Sequence, residues 1–199
     1  MTDQYQAFAK SPIGKLVIKN LGLPSPTFLE RFESVTPVVK GAVLLGAAPA
    51  STLSGSIAQI LANIHANSYA GNNTELQQAA AQSGLNLNAF NDGDKESKFK
   101  AVIFDASGIQ NSEQLHSLYA FFKPIARQIQ ASGRVIVVGI TPETAKTVKQ
   151  AIAQRALEGF VKSVGKEFKK GIAAQLVYVD DGAQANLEST LRFVLSPRS

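Results

Sequence analysis

The feature that most constrains this chain is a recurrence: short, almost uncharged apolar runs alternate with longer stretches of helical periodicity. The first run, Ala42-Val43-Leu44-Leu45-Gly46, is closed on both sides by glycine. Three more cover 101–105, 134–138 and 174–179. Runs this short, rich in β-branched residues and without polar alternation, are strands buried on both faces. Strands that alternate with helices pair in parallel through right-handed crossovers. The expected fold is therefore α/β: a three-layer αβα domain around a doubly wound, mostly parallel sheet, Rossmann-like or flavodoxin-like.

The intervening segments agree. Leu53, Ile57, Ile60, Leu61 and Ile64 recur at helical spacing behind Ser51 or Thr52, either of which can cap that helix. Leu115, Leu118, Tyr119, Phe122, Ile125 and Ile129 line one side of a helix expected over 113–131, kinked at Pro124 and ended by Gly133. Thr141-Pro142-Glu143 puts a hydroxyl, a first-turn proline and an acid where a helix begins, and this helix is expected to reach Phe168. It carries one apolar row of Val148, Ile152, Ala156, Phe160, Val164 and Phe168 and a second of Ala153, Leu157 and Val161. The second row exceeds what a sheet face covers and is expected to seek a protein partner. A last helix covers 187–195, while the Asn- and Gln-rich stretch 67–98 holds a weak strand at 68–71 and a short helix at 74–82. Residues 1–40 read as a helical arm, with short helices at 5–10 and 13–21, and Pro24, Pro26 and Pro37 bar a longer element there. The domain proper is expected over 41–199.

Composition narrows the chemistry. Without cysteine, disulfides, thiolate nucleophiles and thiolate metal sites are excluded. No apolar run approaches the ~20 residues that cross a bilayer, and the N-terminus lacks the pattern of a signal peptide, so a cytoplasmic location is the expectation. A net charge of +5 favours acidic partners. Lys162, Lys166, Lys169 and Lys170 gather at the C-terminal end of one helix, where cations offset its dipole. Basic and aromatic residues are not interleaved, so neither nucleic acid nor a membrane is an expected partner.

Parallel sheets bind ligands beyond the carboxyl ends of their strands, which points to the loops after Leu45, Asp105, Val138 and Val179. The first of these has one glycine at the turn, Gly46, and Pro49 removes an amide donor. It lacks the closely spaced glycines that let a pyrophosphate approach a helix N-terminus. Ser51 and Thr52 either hold a phosphate, as a flavin mononucleotide site would, or cap the helix. Asp105 either touches a ligand or caps the Ser107-Gly108 turn. Gly46, Ser51, Thr52 and Asp105 are thus the cofactor-contact candidates. His65 and His116 have no partner at catalytic spacing, Asp180-Asp181 before Gly182 reads as a turn, and no metal site is expected.

Three segments in order carry a resemblance. The run from Gln154 through Arg-Ala-Leu-Glu-Gly-Phe160 to Phe168 resembles the long helix of short-chain dehydrogenases/reductases. Val102-Ile-Phe-Asp-Ala-Ser-Gly108 is similar to the family's Asn-Asn-Ala-Gly strand end, and Gly133–Gly139 to the strand that leads to its catalytic serine. Together with Phe8-Ala-Lys-Ser-Pro-Ile-Gly14 and Leu21-Gly-Leu-Pro24, they resemble the N-terminal region of high-molecular-weight 3-oxoacyl-acyl-carrier-protein reductases. That resemblance implies a degenerate first domain, followed in the parent protein by a C-terminal catalytic ketoreductase domain. It also implies a parent that reduces 3-oxoacyl thioesters of acyl carrier protein or coenzyme A with NADH or NADPH in fatty-acid metabolism. The chain is then expected to be a piece of a longer protein, in which one further short strand joins the sheet.

At the matched positions the family's reactive residues are replaced. Gln150 stands for the tyrosine, Gln154 for the lysine, Gly139 or Ile140 for the serine, and Gln114 for the helix asparagine. A ketoreductase needs a phenol to donate a proton, with a lysine lowering its pKa, and an amide does not titrate near neutrality. The expectation is a domain without catalytic residues or a cofactor of its own, inactive alone, which supports homodimerisation or its neighbour's active site. The alternatives are a stand-alone flavin- or nucleotide-binding flavodoxin-like module, kept open by the hydroxyls of 51–56, and an enzyme with rearranged catalytic residues.

Overall fold

The computed structural model describes residues 4–23, 27, 29–33, 37–91 and 93–199. The arm forms two short helices, α1 (Gln4–Lys10) and α2 (Pro12–Leu21). Ser11 caps α2, its side chain accepting from Gly14 N, and Gly22 ends it in the left-handed conformation that glycine adopts without a Cβ penalty. Pro24 and Pro26, expected to interrupt the arm, lie outside the described residues.

Six strands follow: β1 (Val43–Ala47), β2 (Ser68–Ala70), β3 (Leu87–Ala89), β4 (Phe99–Asp105), β5 (Ile129–Ile140) and β6 (Ala173–Val179). They form one sheet in the order β3-β2-β1-β4-β5-β6, with every neighbouring pair parallel. The strand order reverses between β1 and β4, the topological switch point at which such folds bind ligands. The helices are α3 (Ser54–Asn63), α4 (Thr74–Gln82), α5 (His116–Ile125), α6 (Val148–Glu167) and α7 (Leu187–Leu195).

Alternate strand residues feed two cores. Val43, Leu45, Ile103, Ile136 and Val138 pack with α3, α4 and α7. Leu44, Val102, Phe104, Val135 and Val137 pack with α5 and α6. The second face therefore has one helix fewer, and aromatic edges fill in: Phe90 and Phe99 meet at 5.0 Å and Phe122 and Phe160 at 5.2 Å.

Four expectations are corrected. The helix foreseen over 113–131 is a 3₁₀ turn, Glu113–Leu115, and then α5, which stops one residue after Pro124. Ile129 belongs to β5; it continued the helical spacing by coincidence, and Gly133 lies inside the strand. Thr141 makes no side-chain cap and begins only a 3₁₀ turn, Pro142–Thr144. The α6 cap is Thr147, whose hydroxyl accepts from Gln150 N. The rows on α6 divide differently: Ala153 and Leu157 are fully buried against the sheet with Val161, while the other row splits, with Val148 and Ile152 76% and 62% exposed but Val164 in the core and Phe160 and Phe168 packed against it. β3 was not foreseen, because its three residues are a half-exposed edge without alternation.

Residues 29–33 and 37–40 lie near the ends at which the strands begin. Glu30 N donates to Ser132 Oγ at 3.0 Å, and its carboxylate pairs with Lys100 at 2.6 Å and Lys40 at 3.8 Å. The Arg198 guanidinium lies 4.0 Å from the centre of the Phe32 ring.

Candidate functional site

The carboxyl rim of the sheet contains every site candidate, and its two halves are built differently. In the first, β1 and β4 end side by side, Ala47 opposite Asp105. Asp105 is 1% exposed. Its Oδ2 accepts from Leu53 N at 3.1 Å and Ser54 Oγ at 2.8 Å, and its Oδ1 accepts from Ser107 N at 3.0 Å. Leu53 is the residue before α3, so the carboxylate sits on the positive end of that helix. Burial pushes the Asp105 pKa up, and the bonds from Ser107, Ser54 and Leu53 pull against that shift.

The loop after β1 is stitched to the loop after β4. Ser51 Oγ donates to Asp105 O at 2.9 Å and accepts from Gly108 N at 3.3 Å. Thr52 N donates to Ser107 Oγ at 2.8 Å. Neither Ser51 nor Thr52 caps α3 by its hydroxyl, contrary to expectation; the cap comes from Asp105, some fifty positions away in sequence. Gly108 is required by contact, since a Cβ there would lie 2.1 Å from Pro49 O. Gly46 is needed for a similar reason, because a Cβ would enter the Phe121 ring at 2.3 Å.

The second half joins β4, β5 and α6 around Gln154, which is fully buried. Its Nε2 donates to Ala106 O and Ile109 O, each at 2.9 Å, and its Oε1 accepts from Ile140 N at 3.1 Å. A Cβ at Gly139 would come within 2.6 Å of that same oxygen. Gln150 Oε1 accepts from Lys146 N, and Gln114 Oε1 from Gln110 N. Tyr178 Oη donates to Gln154 O at 2.8 Å, and its phenol is pushed up to about 12, first by burial and then by the Glu158 carboxylate. It therefore stays protonated at neutral pH. A cavity of about 310 Å³ opens between the two halves, lined by Thr52, Leu53 and Ser107 on one side and by Lys146, Gln150 and Asp180 on the other.

The structure thus brings Gly46, Ser51, Thr52 and Asp105 together, but they satisfy one another. Asp180 and Asp181 form the foreseen turn, with Gly182 at φ 79°. His65 and His116 are exposed, His65 after α3 and His116 at the start of α5, and among the described residues no group of acids and histidines could hold a metal. Ser107 N on Asp105 Oδ1 is the turn cap expected of Asp105, while the bond from Ser54 and the strut role of Gln154 were missed. The only signal in the sequence was Asp105 at a strand end, with hydroxyls on both loops it joins.

No protein-family model matches the sequence, and no curated protein matches it. Solved structures do. BdcA of E. coli aligns with a TM-score of 0.58 at 15% identity, over 82% of this chain and 94% of that one. A short-chain dehydrogenase/reductase from Serratia marcescens aligns at 0.58 and 14%, over 79% and 92%. FabI from Alistipes finegoldii aligns at 0.58 and 12%, over 80% and 85%. Identities this low establish the fold, the Rossmann-like fold of short-chain dehydrogenases/reductases. BdcA has also been solved in complex with NADPH.

The residues here do not fit the pyrophosphate of such a cofactor at α3. The donors Leu53 N and Thr52 N are engaged by Asp105 and Ser107, the two loops touch at Gly108, and the group facing the helix end is a carboxyl. An anion there would meet that buried carboxyl at close range.

Proposed function

We propose that this chain is a non-catalytic, nucleotide-fold domain of a two-domain NADH- or NADPH-dependent 3-oxoacyl thioester reductase. In this reading the reaction, its cofactor and its acyl carrier protein or coenzyme A substrate belong to a C-terminal catalytic domain. The present domain supports that neighbour and the association of two copies. One observation carries the reading: the N-terminus of α3, where nucleotide folds seat phosphate, is capped by the chain's own Asp105. The amide network of Gln150 and Gln154 supports it, because those side chains cross-brace backbone where a reductase needs groups that move protons.

The exposed face of α5 and α6 is the proposed contact between copies, through Tyr119, Val148 and Ile152 rather than the buried row at Leu157. The reading is tested by calorimetric titration with NADH, NADPH and flavin mononucleotide, and by nicotinamide oxidation with an acetoacetyl thioester. No turnover above blank and no dissociation constant below ~10 μM, about −7 kcal/mol, are expected. Tight binding without turnover would favour a nucleotide-binding module instead, with the cavity beside Lys146 as its seat. Turnover by rigorously purified chain would overturn the reading altogether.

A further inference from the structure

Most large apolar side chains of the sheet and its helices are buried in the two cores, and the N-terminal arm does the opposite. On α2, Ile13 is 72% exposed, Leu21 67% and Leu16 65%. Tyr5 and Phe8 on α1 and Leu23 after α2 are exposed as well, while Ala9 and Ile18 are buried. The arm is nevertheless a built unit. Ser11 Oγ donates to Phe8 O at 2.7 Å and accepts from Gly14 N at 2.9 Å. Gly14 lies so close to α1 that a Cβ there would come within 1.8 Å of Phe8 O. Leu23 N donates to Ile18 O at 3.1 Å and closes the end of α2. The two helices pack chiefly on each other.

The exposed residues of α2 are sorted around its axis. At ~100° per residue, Leu16, Ile13, Val17 and Leu21 share one arc. Lys15 and Lys19, one turn apart, form a row along the edge of that arc next to Leu16. Gly14 and Ile18 lie on the buried side. Residues 4–23 hold lysines at 10, 15 and 19 and no acid.

We propose that the α1–α2 hairpin docks this domain on an anionic lipid surface. Ile13, Leu16, Val17 and Leu21 enter the boundary between headgroups and acyl chains, and Lys15 and Lys19 reach the lipid phosphates. The proposal is independent of the function argued above, and it departs from the expectation that no membrane is a partner. That expectation looked for cations and aromatics interleaved along one stretch, whereas here the aromatics stand on α1 and the lysine row on α2. Among the described residues no helix is long and apolar enough to cross a membrane, and α2, with 10 residues, is suited to lie along one. Lysine stems run over apolar surface while the ammonium groups stay with the charge they neutralise. Charge complementarity selects this occupant over a second copy. A second hairpin would bring the same lysines and no acid, on a chain of net charge +5. The protruding Ile13 and Leu16 call for a partner with an apolar layer directly beneath its charge.

The test is sedimentation of the full chain with vesicles of phosphatidylcholine alone and of phosphatidylcholine mixed with phosphatidylglycerol, in about 0.15 M salt. Wild type should pellet with the anionic vesicles and stay in solution with the neutral ones. I13Q/L16Q and K15Q/K19Q should each bind the anionic vesicles more weakly, on the order of tenfold. K149Q/K162Q, which loses the same charge on α6, should change binding by less than about twofold. Thermal melts followed by circular dichroism check that all three variants keep the wild-type fold. Equal weakening by the two lysine pairs would mean that net charge alone is felt, and unchanged binding by I13Q/L16Q would mean that nothing inserts; either result overturns the proposal. So does a wild-type chain that ignores anionic vesicles. If that chain is a dimer in light scattering and I13Q/L16Q halves its mass, the hairpin's occupant is a second copy instead.

Discussion

At the carboxyl rim, the loop after β1 and the loop after β5 occupy equivalent places, yet a buried carboxylate closes one and a neutral amide closes the other. Asp105 faces a helix end and three donors, so its charge is held by directed dipoles against the cost of burial. Gln154 makes three bonds with no charge at all. The first device depends on protonation and the second does not. Both brace the carboxyl rim, and they can be separated experimentally.

The largest effect is expected from Gln154→Lys. An ammonium would enter a fully buried site that lacks a carboxylate partner, and Ile140 N would lose its acceptor. A cost of about 3–5 kcal/mol, the scale of an uncompensated buried charge, should appear in urea denaturation. Wild-type stability in that variant would mean that the crevice still accommodates a lysine, and the comparison would collapse.

Asp105→Ala should cost less, about 1–3 kcal/mol, because it orphans Leu53 N, Ser54 Oγ and Ser107 N without burying a charge. Asp105→Asn keeps an acceptor and isolates the pH dependence. The folded-state pKa of Asp105 lies above the ordinary value of 3.8. Its contribution is therefore fully present below that value and is lost as pH rises through the raised one. The melting-temperature advantage of wild type over the Asn variant should shrink as pH rises above the ordinary carboxylate range. A constant or widening gap would show that the donors, not burial, control this group.

Much of the frame was legible because parallel strands buried on both faces leave an uninterrupted apolar run. β1, β4 and β6 fall within a residue or two of the runs at 42–46, 101–105 and 174–179, and α4 falls at 74–82 as read. The failures have local causes. Thr141-Pro142-Glu143 satisfies every rule for a helix start, but Ala145 and Thr147 return to extended backbone before α6 begins. The site was legible only in part: Asp105 could be read as a turn former, but its partners lie more than fifty residues back at Leu53 and Ser54. No periodicity encodes that contact. Which row of α6 faces the sheet was equally hidden, since both rows are apolar and spacing alone carries no direction.

That ambiguity on α6 sets up the mutation with the smallest expected effect on stability. Leu157→Glu would place a carboxylate in the core and unfold the domain, so it says nothing about association. Ile152→Glu alters the other side of the same helix, where the residue is 62% exposed, one turn from Val148 at 76%; on α5, Tyr119 is 54% exposed. Surface substitutions of this kind change folding stability by less than about 0.5 kcal/mol. Association is another matter, because a carboxylate at the centre of an apolar contact is desolvated without a partner. If two copies meet through this face, light scattering should give a dimer for wild type and half that mass for the variant, with unchanged melting temperatures. A wild-type mass already equal to one chain, or a variant that keeps the dimer mass, would remove α5 and α6 as the contact between copies and leave only the inward, bracing side of α6 with a role.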